Sequence, residues 1–250
     1  MTTTNRKAQH NLWDFIRQQL LCVNEAIGVL SSYFWVNFCE YGDSPQPDIQ
    51  QADKYDLNQA AITILSAVLY IAASMGFKLE TYITRKMSLN AEKYQASTCR
   101  GAKNMQKSIQ DAKNMHQERS IIGLSSKLSP LIQCLPIKEH TMLTIDIARI
   151  YNDSYQFVQQ RGWQSYDTPL NLLMAMTREV SELIELYTWK LNSIQTIQVD
   201  KIDATLQELC DIAIYLIRFS YVCGLDTDSF TSHVANNKHK IDEYNNNWSM

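Results

Sequence analysis

The chain has 250 residues, a net charge of −3 and 45% hydrophobic residues, enough for one large domain or two small ones with a working core. Seven Gly and five Pro are few for a sheet protein with its many turns, which favours long helices with few breaks. The basic residues are scattered, so no electrostatic footprint for nucleic acid stands out.

In chain order, helical periodicity first covers about 8–40. The stretch YGDSPQPDIQQADKYD at 41–56, with Gly, two Pro and several Asp, predicts a loop. A helix over 57–75 follows and ends at Gly76. Its segment ITILSAVLYIAASMGF at 62–77 is short for a membrane span and carries Thr and Ser, so it reads as a buried core helix. A polar helix runs from about Leu79 toward Glu118, and the Pro- and Gly-bearing stretch 121–140 is a connection. The pattern then restarts: a helix over 141–160, the loop RGWQSYDTP at 161–169, a helix over about 170–191 and a linker to about 202. A helix over 203–222 stops at Gly224, and a last helix covers about 227–245.

The restart predicts an internal duplication. NEAIGVLSSYFW at 24–35 lies over REVSELIELYTW at 178–189, which sets Glu25 on Glu179 and Trp35 on Trp189. Gly76 then falls on Gly224, and KMSLNAEKY at 86–94 near NNKHKIDEY at 236–244. The expected organisation is a first repeat over 1–120, a connection over 121–140 and a second repeat over 141–250.

None of the six cysteines forms a CxxC pair, and Cys210 and Cys223 lie within apolar helical runs. Buried free thiols imply a reducing compartment, and MTTTNRKAQHN lacks an apolar signal core. The expectation is a soluble cytoplasmic protein with neither a membrane nor a nucleic-acid partner.

Chemistry concentrates in the second repeat. Residues three and four apart share a helix face, so Glu179 and Glu182 stand in line with Leu172, Ala175 and Leu186, with Glu185 toward the edge. On the next helix Glu208, Asp211 and Tyr215 share a face of a segment that is apolar nearly all round. A single ExxE is usually a solvated surface, but two acidic pairs on adjacent apolar helices need partners. Arg178 and Arg218 are available, and two arginines do not cancel four or five acids. Mg²⁺, with Mn²⁺ as a substitute, suits carboxylate oxygens. A di-iron bundle would use Glu-x-x-His, and none of the histidines (His10, His116, His140, His233, His239) is so placed.

The segments FVQQRGWQSYDTPLNLLMAMTREVSELIELYTWK at 157–190 and LQELCDIAIYLIRFSYVCGLD at 206–226 resemble the MazG-like all-α nucleoside triphosphate pyrophosphohydrolases, nearest their dCTP pyrophosphatase branch. The ExxE and ExxD pairs, the W-x5-P-x-N pattern from Trp163 to Asn171 and the closing Trp189-Lys190 carry the resemblance, which covers about 140–245. It implies hydrolysis of a nucleoside triphosphate to the monophosphate and pyrophosphate. Glu179, Glu182, Glu208 and Asp211 would hold Mg²⁺, and Glu185 would orient or deprotonate the attacking water. Trp163, Trp189 and Tyr215 would contact the base, with Tyr166 and Asn171 in the substrate loop. Against this stands the ordinary role of such aromatics as packing.

The chain also departs from the family. Asp167 and Ser154 stand where relatives carry His, and Leu170 where an Arg is common, which bears on the base recognised. The family's closing Lys-x3-Asn-x3-Tyr, taken to bind phosphates, is kept in the first repeat as Lys86, Asn90 and Tyr94. The second repeat has Asn236, Lys240 and Tyr244, with Lys and Asn exchanged. The first repeat has lost the acids: Gly28 replaces the second Glu, and 57–79 contains no Asp or Glu.

The expected fold is therefore all-α, two tandem MazG-like repeats forming an intrachain pseudo-dimeric four-helix-type bundle with one composite site. A homodimer would give a pseudo-tetramer. The expected function is Mg²⁺-dependent hydrolysis of a (deoxy)nucleoside triphosphate, dCTP-like among the candidates, in nucleotide house-cleaning. Competing readings are a catalytically weakened nucleotide-binding or interaction protein of the same fold, and a helical scaffold, which leaves the acids unexplained.

Overall fold

The computed structural model describes residues 3–41, 49, 51–99, 140–189 and 199–236, and among these there is no β-strand. Seven α-helices are described: α1 (Thr3–Tyr41), α2 (Gln51–Ser74), α3 (Leu79–Lys93), α4 (Ile147–Arg161), α5 (Pro169–Thr188), α6 (Val199–Val222) and α7 (Asp228–Asn236). Short 3-10 turns occupy His140–Leu143 and Gln164–Tyr166. The described residues are all-α, in agreement with composition and periodicity.

Four long helices make the bundle. α1 packs on α2 and α5, α6 packs on α5 and α2, and their apolar faces meet in one core. Aromatic pairs tie the two hairpins together. Phe34 of α1 meets Phe219 of α6 edge to face at 5.7 Å, and Trp13 of α1 meets Tyr187 of α5 at 5.0 Å. Such edge-to-face pairs add roughly 0.5–1.5 kcal/mol to the area they bury. Tyr187 needs a partner for its hydroxyl in that setting and has one in Thr205 of α6 at 2.8 Å.

α2 is buried nearly all round, as its apolar sequence demands. Its span Asp53–Ser74 is long and apolar enough to cross a membrane by length and composition, but 83% of that window is buried inside the bundle. The helix begins at Gln51, inside the stretch read from composition as a loop. Asp53 in its first turn complements the helix dipole, so a residue that resembles loop text serves the helix start.

The shorter helices pack across the two hairpins in a reciprocal way. α3, which follows α2 in sequence, lies on α6 and α4, whereas α7, which follows α6, lies on α2. Each is preceded by a left-handed glycine, Gly76 at φ 87° and Gly224 at φ 61°, a conformation that costs other residues about 1–2 kcal/mol. α3 stops at Lys93, where the Tyr94 amide bonds back to the Asn90 carbonyl, and turns occupy residues 95–98. The longer helix expected toward Glu118 therefore breaks within its first half, and 100–118 lie outside the described residues. So do almost all of the connection over 121–140 and the second half of the last helix, including Lys240 and Tyr244.

The loop between α4 and α5 is tightly specified. Asp146 caps α4 by accepting from the Arg149 amide at 3.0 Å, which is why the helix begins at Ile147 and not at 141. Gly162 ends it in the left-handed conformation at φ 65°. Thr168 then caps α5, with Pro169 in the first turn.

Arg161 bolts this loop to α3. The residue is 2% exposed, and its guanidinium donates to the carbonyls of Tyr94 at 2.6 Å, Phe157 at 2.9 Å and Ala91 at 3.4 Å. It also lies 3.6 Å over the Phe157 ring. Arg161→Met should strip three carbonyls of a partner and destabilise the protein by roughly 2–3 kcal/mol, a drop of roughly 4–12 °C in melting temperature. Arg149→Ala breaks a more exposed pair with Glu80 and should cost under about 1 kcal/mol. Thermal melts followed by circular dichroism compare the two, and equal effects would show that Arg161 is not the bolt.

Candidate metal centre

α5 and α6 face each other closely along their length, and their acidic pairs meet at that seam. Glu179, Glu208 and Asp211 each offer a carboxylate oxygen within 4.8 Å of the others. Glu179 is 3% exposed, and Oε2 of Glu208 is buried with no hydrogen-bond partner. Glu182 sits at the rim with its side chain 45% exposed and joins the group through Arg178.

Electrostatics follow from this crowding. Burial, then the charge of Asp211, pushes the Glu179 carboxyl up to about 7. Burial, then the charges of Glu179 and Asp211, pushes Glu208 up to about 8. Tyr215, one turn beyond Asp211, is raised by burial and by the Asp211 and Glu179 charges, so it stays a neutral phenol. Cys210 and Cys223 are buried free thiols raised chiefly by burial, which rules them out as nucleophiles near neutral pH.

Two cations answer the acids. Arg178 binds Glu179 and, at 2.6 Å, Glu182. Lys86 reaches across from α3 to Asp211 Oδ2 at 2.8 Å and donates to Gln207 Oε1 at 3.2 Å. Burial works against the Lys86 ammonium, but the charge and hydrogen bond of Asp211 outweigh it and hold its pKa above the usual lysine value. Gln207 in turn donates to Asp203 at 3.0 Å, so Asp203, Gln207 and Asp211 form a stripe at successive four-residue steps of α6. Four carboxyl groups face two cations, the two most buried of them are raised toward the neutral form, and one buried Glu208 oxygen has no partner. A divalent cation with oxygen ligands fits that donor set, and Glu179, Glu208 and Asp211 are the residues that could hold it.

The remaining sequence candidates are dispersed. Trp163 is 6% exposed and lies in a small separate cluster with Val158 and Cys99, its indole N–H bonded to the Cys99 carbonyl at 3.1 Å. Tyr94 and Phe157 pack edge-on against its ring, each at 6.0 Å. Tyr166 is half-buried against the same cluster, and Asn171 donates its amide to the Tyr166 carbonyl at 3.1 Å. Trp189 is 86% exposed at the end of α5, and Glu185 is exposed one turn before it. Asn90 is half-buried, one turn beyond Lys86 on α3. Asp167 forms a bidentate pair with Arg218, which also faces the Tyr215 ring at 5.7 Å. That partnership takes Arg218 away from the acids.

Sequence reasoning missed Gln207 and Asp203. Their spacing from Asp211 by four and eight residues was the available signal. Lys86, on a helix whose sequence is polar, has a side chain only 12% exposed.

Comparison with known proteins finds a partial similarity. Over 84 residues the chain is 36% identical to dCTP pyrophosphatase 1 of Rattus norvegicus, 38% identical to that of Mus musculus and 37% identical to that of Homo sapiens. The match covers 32% of this chain and 48% of each of these proteins, so the chain spans about half the length of the curated relatives it matches. No family model matches, and no solved structure matches. The local similarity supports a relationship to nucleoside triphosphate pyrophosphatases.

The raised carboxyls set the pH dependence of the metal-free protein. A carboxyl raised in the fold keeps its proton where the unfolded chain has lost it, so its contribution is full below about pH 4.3 and is lost as pH rises through the folded value. The melting temperature should therefore fall between about pH 5 and pH 8, the window set by Glu179 and Glu208. Glu208→Gln should flatten that slope. A wild-type melting temperature that stays level across the window would contradict this packing of the acids.

Proposed function

We propose that the chain is a Mg²⁺-dependent nucleoside triphosphate pyrophosphohydrolase, built as two MazG-like repeats in tandem that share one composite site. The observation that carries this reading is the partly buried cluster of Glu179, Glu208 and Asp211, with its unpartnered Glu208 oxygen. Its place within ExxE and ExxD pairs on helices like those of the family adds to it, as does the partial similarity to dCTP pyrophosphatases. The reciprocal packing of α3 on α6 and α7 on α2 supports the pseudo-dimer, as do the paired left-handed glycines and the shared exposure of Trp35 and Trp189.

Glu179, Glu208 and Asp211, joined by Glu182 from the rim, would hold the ion. When bound, Mg²⁺ neutralises phosphate charge and makes water a better nucleophile near neutral pH. Lys86, brought from the first repeat, holds Asp211 in place and stands ready to meet phosphate oxygens that the metal leaves uncovered. Asn90 and Lys240 would serve the same end. Exposed Glu185 has the freedom to accept a proton from the attacking water. Trp189, open to solvent, and Tyr215, next to the acids, are the aromatic contacts for a base, with Tyr166 and Asn171 shaping the loop and Trp163 supporting it from below. A dCTP-like deoxynucleotide is the substrate the resemblance favours, and the Asp167–Arg218 pair would alter which base is accepted.

A panel of canonical and modified nucleoside triphosphates, assayed with Mg²⁺ for pyrophosphate release, tests the activity. Asp211→Asn should reduce turnover to background while circular dichroism shows unchanged helix content. Nucleotide binding without pyrophosphate release from any member of the panel would favour the binding-protein reading.

Lys86→Met keeps the buried stem and removes the charge. It should lower kcat/KM about tenfold, the ~1.4 kcal/mol of one charged contact. Full efficiency in this variant would make the first repeat a scaffold.

A further inference from the structure

Arg178 precedes Glu179 on α5 and lies one turn before Glu182, and its guanidinium spans both acids. Nη1 donates to Glu182 Oε1 at 2.6 Å, and Nη2 donates to Glu179 Oε1. We infer that Arg178 is a built-in, displaceable counter-cation of the acidic cluster, so that a divalent ion enters by exchange with the guanidinium. The inference rests on the metal-site reading above and adds a residue that sets how tightly the ion is held.

The two cations of the site differ in how firmly they are placed. The Lys86 side chain is 12% exposed and has a second acceptor in Gln207, so it is enclosed by α3 and α6. The Arg178 side chain is 51% exposed, and the described structure gives it only the two carboxylates as partners. A half-solvated guanidinium loses little on returning to water, because water replaces both of its bonds. The Glu179 carboxylate has no such recourse to water, since it is 3% exposed, and in its ionised form it needs a cation beside it.

Exchange is required by charge. Both guanidinium bonds use Oε1 atoms of the acidic pair, and a divalent ion drawn to the same oxygens would stand within a few ångströms of the guanidinium. Like charges that close repel strongly at the effective dielectric of a partly buried site. Removing the guanidinium therefore favours the ion. The device lets the cluster fold without metal and makes metal occupancy depend on the magnesium supply. It also frees a forked phosphate-binding group at the rim once the ion has arrived.

Direct metal titration tests this without reference to catalysis. Mn²⁺ is added to full-length wild-type protein and to Arg178→Gln, Arg178→Lys and Arg149→Gln, with no nucleotide present, and free Mn²⁺ is read by electron paramagnetic resonance. Arg178→Gln, which keeps an amide donor and loses the charge, should bind Mn²⁺ about tenfold more tightly, equivalent to ~1.4 kcal/mol. Arg178→Lys should stay near wild type, as should Arg149→Gln, whose partner Glu80 lies outside the cluster. Thermal melts show that each variant is folded. If Arg178→Gln binds Mn²⁺ as weakly as wild type, or more weakly, Arg178 does not compete and the inference fails while the metal site stands. If no protein in the series binds Mn²⁺, the metal-site reading fails and takes the inference with it.

Discussion

Carrying a carboxylate from water into an apolar helix bundle is so costly that it occurs only with a proton or a cation beside it. The seam between α5 and α6 does this at Glu179 and Glu208, whose carboxyls burial and the neighbouring acid charges hold well above the usual carboxylate range. Much of the surrounding architecture answers that constraint. Lys86 has to come from a different part of the chain, α3 has to lie on α6 to deliver it, and the Arg161 bolt fixes the end of α3 against α4. The apolar core around the bundle supplies the free energy that allows the acidic cluster to persist.

The faces were legible because helical spacing is local. Glu179 with Glu182, and Glu208 with Asp211, could be placed from residue intervals alone, and the apolar residues around them marked the seam. Gly76 and Gly224 were legible for the same reason, since a left-handed helix end selects glycine through its own backbone. What escaped was long-range or dual in character. The partner of Lys86 lies 121 residues away at Gln207, and farther at Asp211, and no local pattern reports such a distance. Arg161 opens a polar loop and would pass for a surface cation, but its burial depends on three carbonyls from two helices. Asp53 looks like loop text until the helix dipole is considered.

Trp163 shows a different limit. A tryptophan after a helix-ending glycine, spaced from Pro169 and Asn171 as here, invites a ligand role. Its placement follows instead from Cys99, whose carbonyl takes the indole proton, and from Tyr94 and Phe157, which close on the ring. Sequence spacing gives the residue type and the loop, while the neighbours that decide its exposure arrive from an element some sixty residues earlier.

The burial of α2 on every side also has a consequence in time. During synthesis α2 is complete at Ser74, but the helix that covers its inner face, α6, ends only at Val222. At roughly 5–20 residues per second the ribosome needs roughly 7–30 s to supply the missing cover. For that interval the face that α6 will cover stays open, and it presents to the cell a segment as greasy as a membrane span. Nascent-chain chaperones that bind such segments would find this one early, and their release would have to await the second half of the protein.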